Sequence, residues 1–550
     1  MGAEGESESE SLRQKDGADN KIFFFLFPES VFADSFLFIR RRNMLDFLTK
    51  VVGVVNDVVW GWPVIILILG TGLLLTIRTK FLQLRKFGDS MGSTIVPTIK
   101  SLGKKKSGDR LKTVSQFEAF ATAISGTVGT GNIIGVTAAI LAGGPGAVFW
   151  MWVTAFFGMV TNYAENVLGH YYRKKEKDGS LSGGAFYYIA YGLKWKWLAY
   201  FASVFCMVAA VGMSGVQANK ITGTLSNALG EAFKIDFEAS PAASTLVKLL
   251  IGIIIALLAA VIIIGGIKRI GKVASNLVPV MSVLFIVLAF VTIFMNIKAV
   301  PTAFSLIFTK AFNFKAAGGG LLGCAFSQTI KKGMARGVFS NEAGLGSSVI
   351  AHSASESREP VKQGLWGVFE VFFDTFVICT LSALMFLVTF DLNELTGTEV
   401  DSVLSTQMFS QNFGTFGVIA FSIILPLFAF TTILAWSYYG EKATEFTFKW
   451  LGEKGSKVAV LVFKIFYVVM IVCSALISSG LIWDIDDAFN GLMAIPNLIC
   501  VIALSGVVAK ITKNYYDRKK GKDVEPMLSA YPEMNEEFKK DIASGDEEKI

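Results

Sequence analysis

Glycines and hydroxyl residues interrupt one long apolar stretch, and together they could bind a small polar ligand or an ion. The stretch covers residues 116–155 and reads QFEAFATAISGTVGTGNIIGVTAAILAGGPGAVFWMWVTA. Its interrupting residues are Gly126, Gly129, Gly131, Gly135, Ser125, Thr127, Thr130 and Asn132. Unpaired backbone groups are costly in lipid, so a helix broken by glycines persists only where it is buried or lines a cavity. Many secondary transporters bind their substrate and ion at such a break. Alternatively, the small residues only let two membrane helices pack closely.

The composition predicts a polytopic membrane protein. The chain has 550 residues, of which 53% are hydrophobic, and its mean hydropathy is +0.54. Soluble domains seldom have such values. The two histidines lie far apart and the five cysteines have no CxxC spacing, so neither zinc nor disulfides are expected. We therefore expect no cofactor, no nucleic-acid partner and a lipid bilayer around the protein.

About eleven apolar runs are long enough to cross a membrane, which takes about 20 residues in a helix. They lie at roughly 60–77, 117–141, 147–170, 197–218, 246–265, 275–296, 316–335, 364–390, 414–438, 458–483 and 488–511. Lysines and arginines concentrate in alternate loops, including a group of Lys331, Lys332 and Arg336 at the end of the seventh run, whereas the loop at 391–412 is acidic. The positive-inside rule then predicts an outer N-terminus and a cytoplasmic C-terminus.

Three regions are predicted along the chain. Residues 1–43 form an extension, polar and acidic at first and interrupted by Pro28 later. Residues 44–515 form the transmembrane transport domain, and residues 516–550 form a charged cytoplasmic tail. With the first run set aside, ten runs remain, which permits an inverted repeat of five plus five. The glycine-rich stretches at 117–141 and 318–323 open the two halves in corresponding positions.

Several long motifs occur in one order: GTGNIIGV at 129–136, GGPGAVFWMWVTAFFGM at 143–159, RGVFSNEAGLGSSVIAH at 336–352 and WSYYGE at 436–441. From about residue 56 to about residue 513, the sequence resembles the alanine or glycine:cation symporter family (sodium:alanine symporter type). The resemblance implies an all-α membrane protein with the leucine-transporter fold, here preceded by an extra N-terminal helix. It also implies symport of a small neutral amino acid.

Candidate substrate residues come from three places. Thr130, Gly131 and Asn132 lie near the middle of the first broken run, and Gly319 and Gly320 would add unwound backbone from the second half. An interhelical hydrogen bond is the alternative role for Asn132. The resemblance adds two further candidates. They are Gln217, otherwise an interface amide at the end of its span, and Trp436, which either limits side-chain size or belongs to the interfacial aromatic belt.

Sodium prefers oxygen ligands, and the resemblance implies a site between the broken run and the ninth span. Thr431 and Thr432 would supply hydroxyls, and Ser125 and Val128 would supply carbonyls. The usual alternative for a helical threonine is a bond to its own helix. Sodium is expected because no titrating group lies in the break or in the 414–438 span.

Two intramembrane carboxylates, Glu370 and Asp374, lie four residues apart and on one face of a regular helix. They could bind a second cation, carry a proton, or pair with a buried base such as Lys464. The 336–352 motif reads as a gate, a re-entrant turn or ordinary helix capping, and no substrate contact is expected there.

The predicted function is import of alanine or glycine across the cell membrane, coupled to sodium by alternating access. A proton-coupled symporter of the same fold is the alternative. A channel would need a continuous polar pore, which the apolar spans do not offer. An enzyme is not expected, because no nucleophile and base or metal cluster occurs at usable spacing.

Overall fold

The structure is a computed structural model, and it describes residues 36–101, 113–177, 179–235, 237, 239–312, 320–392, 402–477 and 479–544. Most of residues 1–43 and the glycine Gly319 lie outside these ranges. Within them the chain is almost entirely helical, apart from one two-stranded antiparallel hairpin.

The described part of the chain up to residue 191 contains nine helical segments and two short strands around the first broken span. In order, they are α1 (Phe36–Val59), α2 (Trp62–Arg78), α3 (Leu82–Arg85), α4 (Phe87–Ser101), α5 (Gln116–Thr127), a 3-10 turn (Thr130–Asn132), α6 (Ile134–Gly143), α7 (Ala147–Tyr171), β1 (Lys174–Lys175), β2 (Leu181–Ser182) and α8 (Ala185–Tyr191). Three long helices follow, which are α9 (Lys196–Phe233), α10 (Pro241–Ile263) and α11 (Gly266–Met295).

The second half begins with a short helix and then a second broken span. Its elements are α12 (Val300–Ala311), α13 (Gly320–Asn341), α14 (Ser348–Ser353), α15 (Pro360–Val371), a π-helical stretch (Phe372–Cys379), α16 (Thr380–Thr389), α17 (Ser402–Phe413), α18 (Thr415–Thr447), α19 (Gly452–Leu476), α20 (Ser479–Lys519) and α21 (Pro532–Ser544). Two more 3-10 turns lie at Ile297–Ala299 and Lys449–Leu451.

Nine helices in the described ranges are long and apolar enough to cross a membrane. The two broken spans are outside that count. Both α5 and α6 are too short, with 12 and 10 residues, and α13 contains three basic residues, Lys331, Lys332 and Arg336. A polytopic helical architecture is therefore confirmed, while the number eleven and the inverted repeat stay predictions. Large apolar side chains such as Leu257 and Val261 on α10 are more than 60% exposed, as expected for a surface that faces lipid.

The second break lies elsewhere than the sequence suggested. Gly320 begins α13, and the helix continues unbroken to Asn341. The backbone leaves the helix only at 342–347, between α13 and α14. The expectation of an unwound GGG run is therefore wrong for its described part, and Lys331, Lys332 and Arg336 lie inside α13 instead of in a loop.

The charged C-terminal region folds back onto the protein. The last long helix, α20, runs past residue 516, and α21 then packs Met534 and Phe538 against Leu181 of the hairpin. Arg358, which precedes α15, forms an ion pair with Asp541 at 2.9 Å. The ends of α7, α14 and α21 therefore lie on one side of the molecule.

Candidate functional site

In the first break, the side chain of Asn132 bonds a backbone amide that has lost its helical partner. A capping box between Ser115 and Glu118 starts α5, and the helix stops at Thr127 because Val128 takes an extended conformation. The Gly129 amide donates to Asn132 Oδ1 at 2.8 Å, so the asparagine replaces a helical acceptor. The Ser125 carbonyl consequently leaves the regular helical ladder and accepts from Thr432 on α18.

The second break contains three residues in the left-handed region. Glu342 has φ +54°, Gly344 has φ +95° and Gly346 has φ +75°. Glycine adopts this region freely, whereas a glutamate does so only when its surroundings hold it there. Ser347 Oγ donates to Glu342 Oε2 at 2.5 Å, and Trp436 Nε1 donates to its Oε1 at 3.1 Å. Both bonds hold the strained glutamate in place.

The two breaks meet through a buried polar cluster. Asn132 Nδ2 donates to Ser340 Oγ at 2.9 Å and to Asp374 Oδ1 at 2.6 Å. Ser340 Oγ donates to Asp374 Oδ2 at 2.8 Å, and Thr375 Oγ1 donates to the same oxygen at 2.8 Å. Asp374 therefore ties the first break, the last turn of α13 and its own span together. A titrating group from a different span, Asp374, therefore contacts Asn132 of the break.

The two intramembrane carboxylates lie on either side of the boundary between α15 and the π-helical stretch. Glu370 belongs to α15, whereas Asp374 lies after the point where the helix gains width. Glu370 Oε2 lies 2.7 Å from His352 Nε2 on α14, so the two carboxylates have different partners. Neither pairs with Lys464, whose ammonium lies 2.9 Å from Glu441.

The substrate candidates of the first half surround the break. Gln217 lies within α9 and not at its end, because α9 continues to Phe233. Its Oε1 accepts from the Thr130 amide at 3.3 Å. The Thr130 hydroxyl is buried and has no hydrogen-bond partner within the described part of the chain. A Cβ on Gly131 would lie 3.6 Å from the Phe339 ring, so an aromatic wall faces this glycine.

Trp436 is fully buried in the middle of α18. Its bond to Glu342 places it against the second break, so the interfacial aromatic belt is the wrong reading for this residue. Gly320, the other described candidate from the second half, starts α13, 22 residues before Glu342 in the chain. It therefore contributes no unwound backbone.

The two threonines of α18 point in different directions. Thr432 Oγ1 donates to the Ser125 carbonyl at 2.9 Å and to the Phe428 carbonyl at 3.0 Å. Thr431 Oγ1 bonds to its own helix at Phe428 and lies 3.6 Å from Met281 Sδ on α11. Only Thr432 reaches the break, so the predicted pair of threonine ligands is reduced to one.

Comparison with known proteins identifies the family. Residues 45–529 match the sequence model of the sodium:alanine symporter family. The chain belongs to this family. It is 38% identical over 482 residues to the sodium/alanine symporter AgcS of Methanococcus maripaludis, covering 86% of this chain and 99% of that one. It is 36% identical to the probable sodium/glutamine symporter GlnT of Bacillus subtilis, covering 87% and 93%.

The symporter also resembles a solved structure. The crystal structure of MhsT in complex with L-phenylalanine has a TM-score of 0.52, with 15% identity, covering 74% of this chain and 99% of that one. This likeness concerns the fold alone, and it agrees with the leucine-transporter-like architecture. The protein is thus an amino-acid:cation symporter of the membrane, as the resemblance in its motifs predicted.

Two carboxylates of the symporter have contacts that the sequence did not indicate. Glu342 belongs to a motif expected to be a gate, a re-entrant turn or ordinary helix capping, although this glutamate is followed closely by Gly344 and Gly346. Glu165 on α7 received no role, yet its Oε2 accepts from the Gly344 amide at 3.3 Å and its Oε1 accepts from Asn497. Asn497 also donates to the Gly344 carbonyl at 2.8 Å, so this pair replaces the helical partners that the second break has lost. The sequence did offer a signal for this role, because Glu165 is the single acidic residue in the apolar run 147–170.

Proposed function

We propose that the protein imports small neutral amino acids, alanine or glycine, together with sodium by alternating access. The observation that carries the proposal is the contact of Thr432 Oγ1 with the Ser125 carbonyl, at 2.9 Å, across the first break. A hydroxyl and freed carbonyls form the oxygen environment that a hard cation prefers, and none of these groups stores a proton near neutral pH. The sodium ligands in this proposal are Thr432 and the carbonyls of Ser125 and Val128. The name of the relative AgcS supports the same ion and substrate.

The substrate would lie between the two breaks. Its carboxylate suits the free amides that start α6, because a helix N-terminus favours negative charge. The unpartnered Thr130 hydroxyl and the Gln217 amide are the nearest polar side chains for the remaining contacts. Phe339 and Trp436 bound the space, which favours a small side chain.

Proton coupling is the second candidate, because Asp374 contacts Asn132 of the break directly. Uptake of labelled alanine into proteoliposomes, driven by a sodium gradient or by a proton gradient alone, separates the two. We expect the sodium gradient alone to suffice. Uptake that follows only the proton gradient would contradict sodium coupling.

Substrate size offers a separate test at Phe339, whose ring faces Gly131. Replacing Phe339 by alanine should admit longer neutral side chains such as that of glutamine, which the relative GlnT is named for. An added methylene is worth about 1–3 kcal/mol in a close pocket, so we expect the preference for alanine over glutamine to fall about 10-fold or more. Competition by unlabelled glutamine in alanine uptake measures the change, and Phe466, an exposed ring on α19, provides the control F466A. An unchanged preference would place the size limit elsewhere.

We also propose that transport resides in 44–515, in the cell membrane with the C-terminus in the cytoplasm. Deleting residues 1–43 should leave insertion and uptake unchanged, because the family match starts at residue 45. Uptake and surface amount of the truncated chain measure this. Loss of insertion would show that the extension is part of the transporter.

A further inference from the structure

The symporter holds a second titrating site away from the proposed sodium ligands, between α14 and α15. His352 Nε2 lies 2.7 Å from Glu370 Oε2, and His352 Nδ1 lies 2.6 Å from Gln363 Nε2. All three side chains are fully buried. The pair lies on the half of the molecule where α14 ends and where Arg358 contacts the C-terminal helix.

The charge of this pair depends on one proton. With one proton the pair is neutral overall, whether the imidazole or the carboxyl holds it. Without the proton it carries one buried negative charge, which costs several kcal/mol unless water or a cation reaches it. No lysine or arginine in the described part of the chain forms an ion pair with Glu370. A sealed pair therefore favours the protonated state.

The neighbouring groups strengthen this preference. Glu165, Glu342 and Asp374 are all buried and lie close enough to Glu370, directly or through each other, to repel its negative charge. From α7, His170 faces His352, and Arg173 beside it donates to the carbonyls of Ser353 and Ser355. From α5, Glu118 caps its own helix at Ser115. Ser348 and Asn162 are the nearby donors that favour the ionised carboxylate, whereas burial and the three neighbouring carboxylates oppose it.

Gln363 can serve both protonation states of the imidazole. Its Nε2 faces Nδ1, and its Oε1 is buried without a hydrogen-bond partner among the residues that the structure describes. An amide oxygen and nitrogen exchange places by a half turn of the side chain, so the amide can donate to a neutral ring or accept from a charged one. This side chain thus has a suitable partner atom for either state.

We propose that the His352–Glu370 pair binds one proton while it is sealed and releases it when the α14–α15 contact opens to water. The pair joins the short inner helix of the second break to the next span, so opening this half of the molecule must separate or hydrate it. The effect of this proton on transport rests on the proposed function, but the binding of the proton can be measured without transport. Acidification should stabilise the sealed state and slow release of the substrate on the side of the C-terminus.

The test compares the two histidines of the chain. Sodium-driven alanine uptake is measured with the same pH on both sides of the proteoliposome, between about pH 5 and 8, where histidine usually titrates. We expect uptake to fall on acidification with the slope of one proton, at most about tenfold per pH unit. H352Q and E370Q should remove this slope, whereas H170Q, which changes the other buried histidine, should keep it. If H352Q and E370Q both keep the pH dependence of uptake, the proposal is overturned. A pair with a purely structural role would give that result, because its loss would lower uptake by the same factor at every pH.

A spectroscopic measurement decides the question even if the pair variants fail to fold. In H170Q protein labelled with ¹⁵N-histidine, His352 is the single imidazole, since the chain has two histidines. We expect its ring nitrogen resonances to move over the same pH interval as uptake, in sodium without substrate. Resonances that stay constant over that interval overturn the proposal. Loss of transport with an intact titration would instead count against the proposed function and leave the proton site standing.

Discussion

Replacing Thr432 by valine should raise the sodium concentration for half-maximal alanine uptake by roughly 10- to 100-fold. The change removes the hydroxyl that contacts the Ser125 carbonyl and keeps the shape of the side chain. Hydrogen bonds and similar contacts to charged groups are worth about 1.5–3 kcal/mol, and each 1.4 kcal/mol is tenfold in affinity. The sodium dependence of initial uptake rates in proteoliposomes measures the effect.

Thr431 provides the matched control one position earlier in α18. Its hydroxyl bonds to its own helix and faces Met281, so T431V loses a similar bond without touching the break. We expect its sodium dependence to stay within about twofold of the parent. Equal shifts in both variants would argue for a general effect on α18, and an unchanged T432V would remove Thr432 from the sodium site.

Replacing Gly129 by alanine should reduce uptake to background while the protein still inserts. A Cβ at this position would lie 2.7 Å from Thr432 Oγ1, too close for two non-bonded atoms, so the hydroxyl or the break has to move. The same methyl group would also approach the Gln217 amide at 3.5 Å. Two proposed ligand groups are thus disturbed by a single carbon. Alanine uptake and sodium-dependent thermal stabilisation of the purified protein measure the loss.

Gly70 on α2 offers a control outside both breaks. A Cβ there meets nothing within 4 Å, so G70A adds a methyl group to open space. Because alanine favours a helix over glycine by about 0.5–1 kcal/mol, this variant should transport normally and unfold at a slightly higher temperature. Normal uptake by G129A would contradict the role assigned to the first break, and an equal loss of uptake in G70A would show that the effect is not specific to the break.

The first break could be predicted from sequence because its signal is local. Glycines and polar residues alternate inside an apolar run, and a membrane leaves few ways to accommodate them. The second break has the same kind of signal around Glu342, but the glycine triplet at 318–320 was the more obvious interruption. Glycines at the start of a helix and glycines in a break look alike in sequence. The left-handed φ of Glu342, which marks the break, is visible only in the structure.

The partners of the polar residues could not be predicted, since they depend on helix rotation and on length beyond the membrane. Neighbouring residues of a helix point about 100° apart, so one of two adjacent threonines reaches the break and the other does not. Gln217 changed from a helix end to a helix interior because α9 continues through a polar segment to Phe233. Glu370 and Asp374 were expected on one face, but Asp374 lies inside the wider π-helical stretch, and the two carboxylates have separate partners.

That stretch of eight residues divides the span from Pro360 to Thr389 into two α-helical parts whose faces are rotated relative to each other. A π-bulge amounts to one extra residue in an α-helix, and one residue corresponds to about 100° of rotation. Phe372–Cys379 therefore sets the angular phase between the end that holds Glu370 and the end that packs against α11 and α17. Removing one residue from this stretch would therefore turn Asp374 relative to Glu370 without changing any side chain.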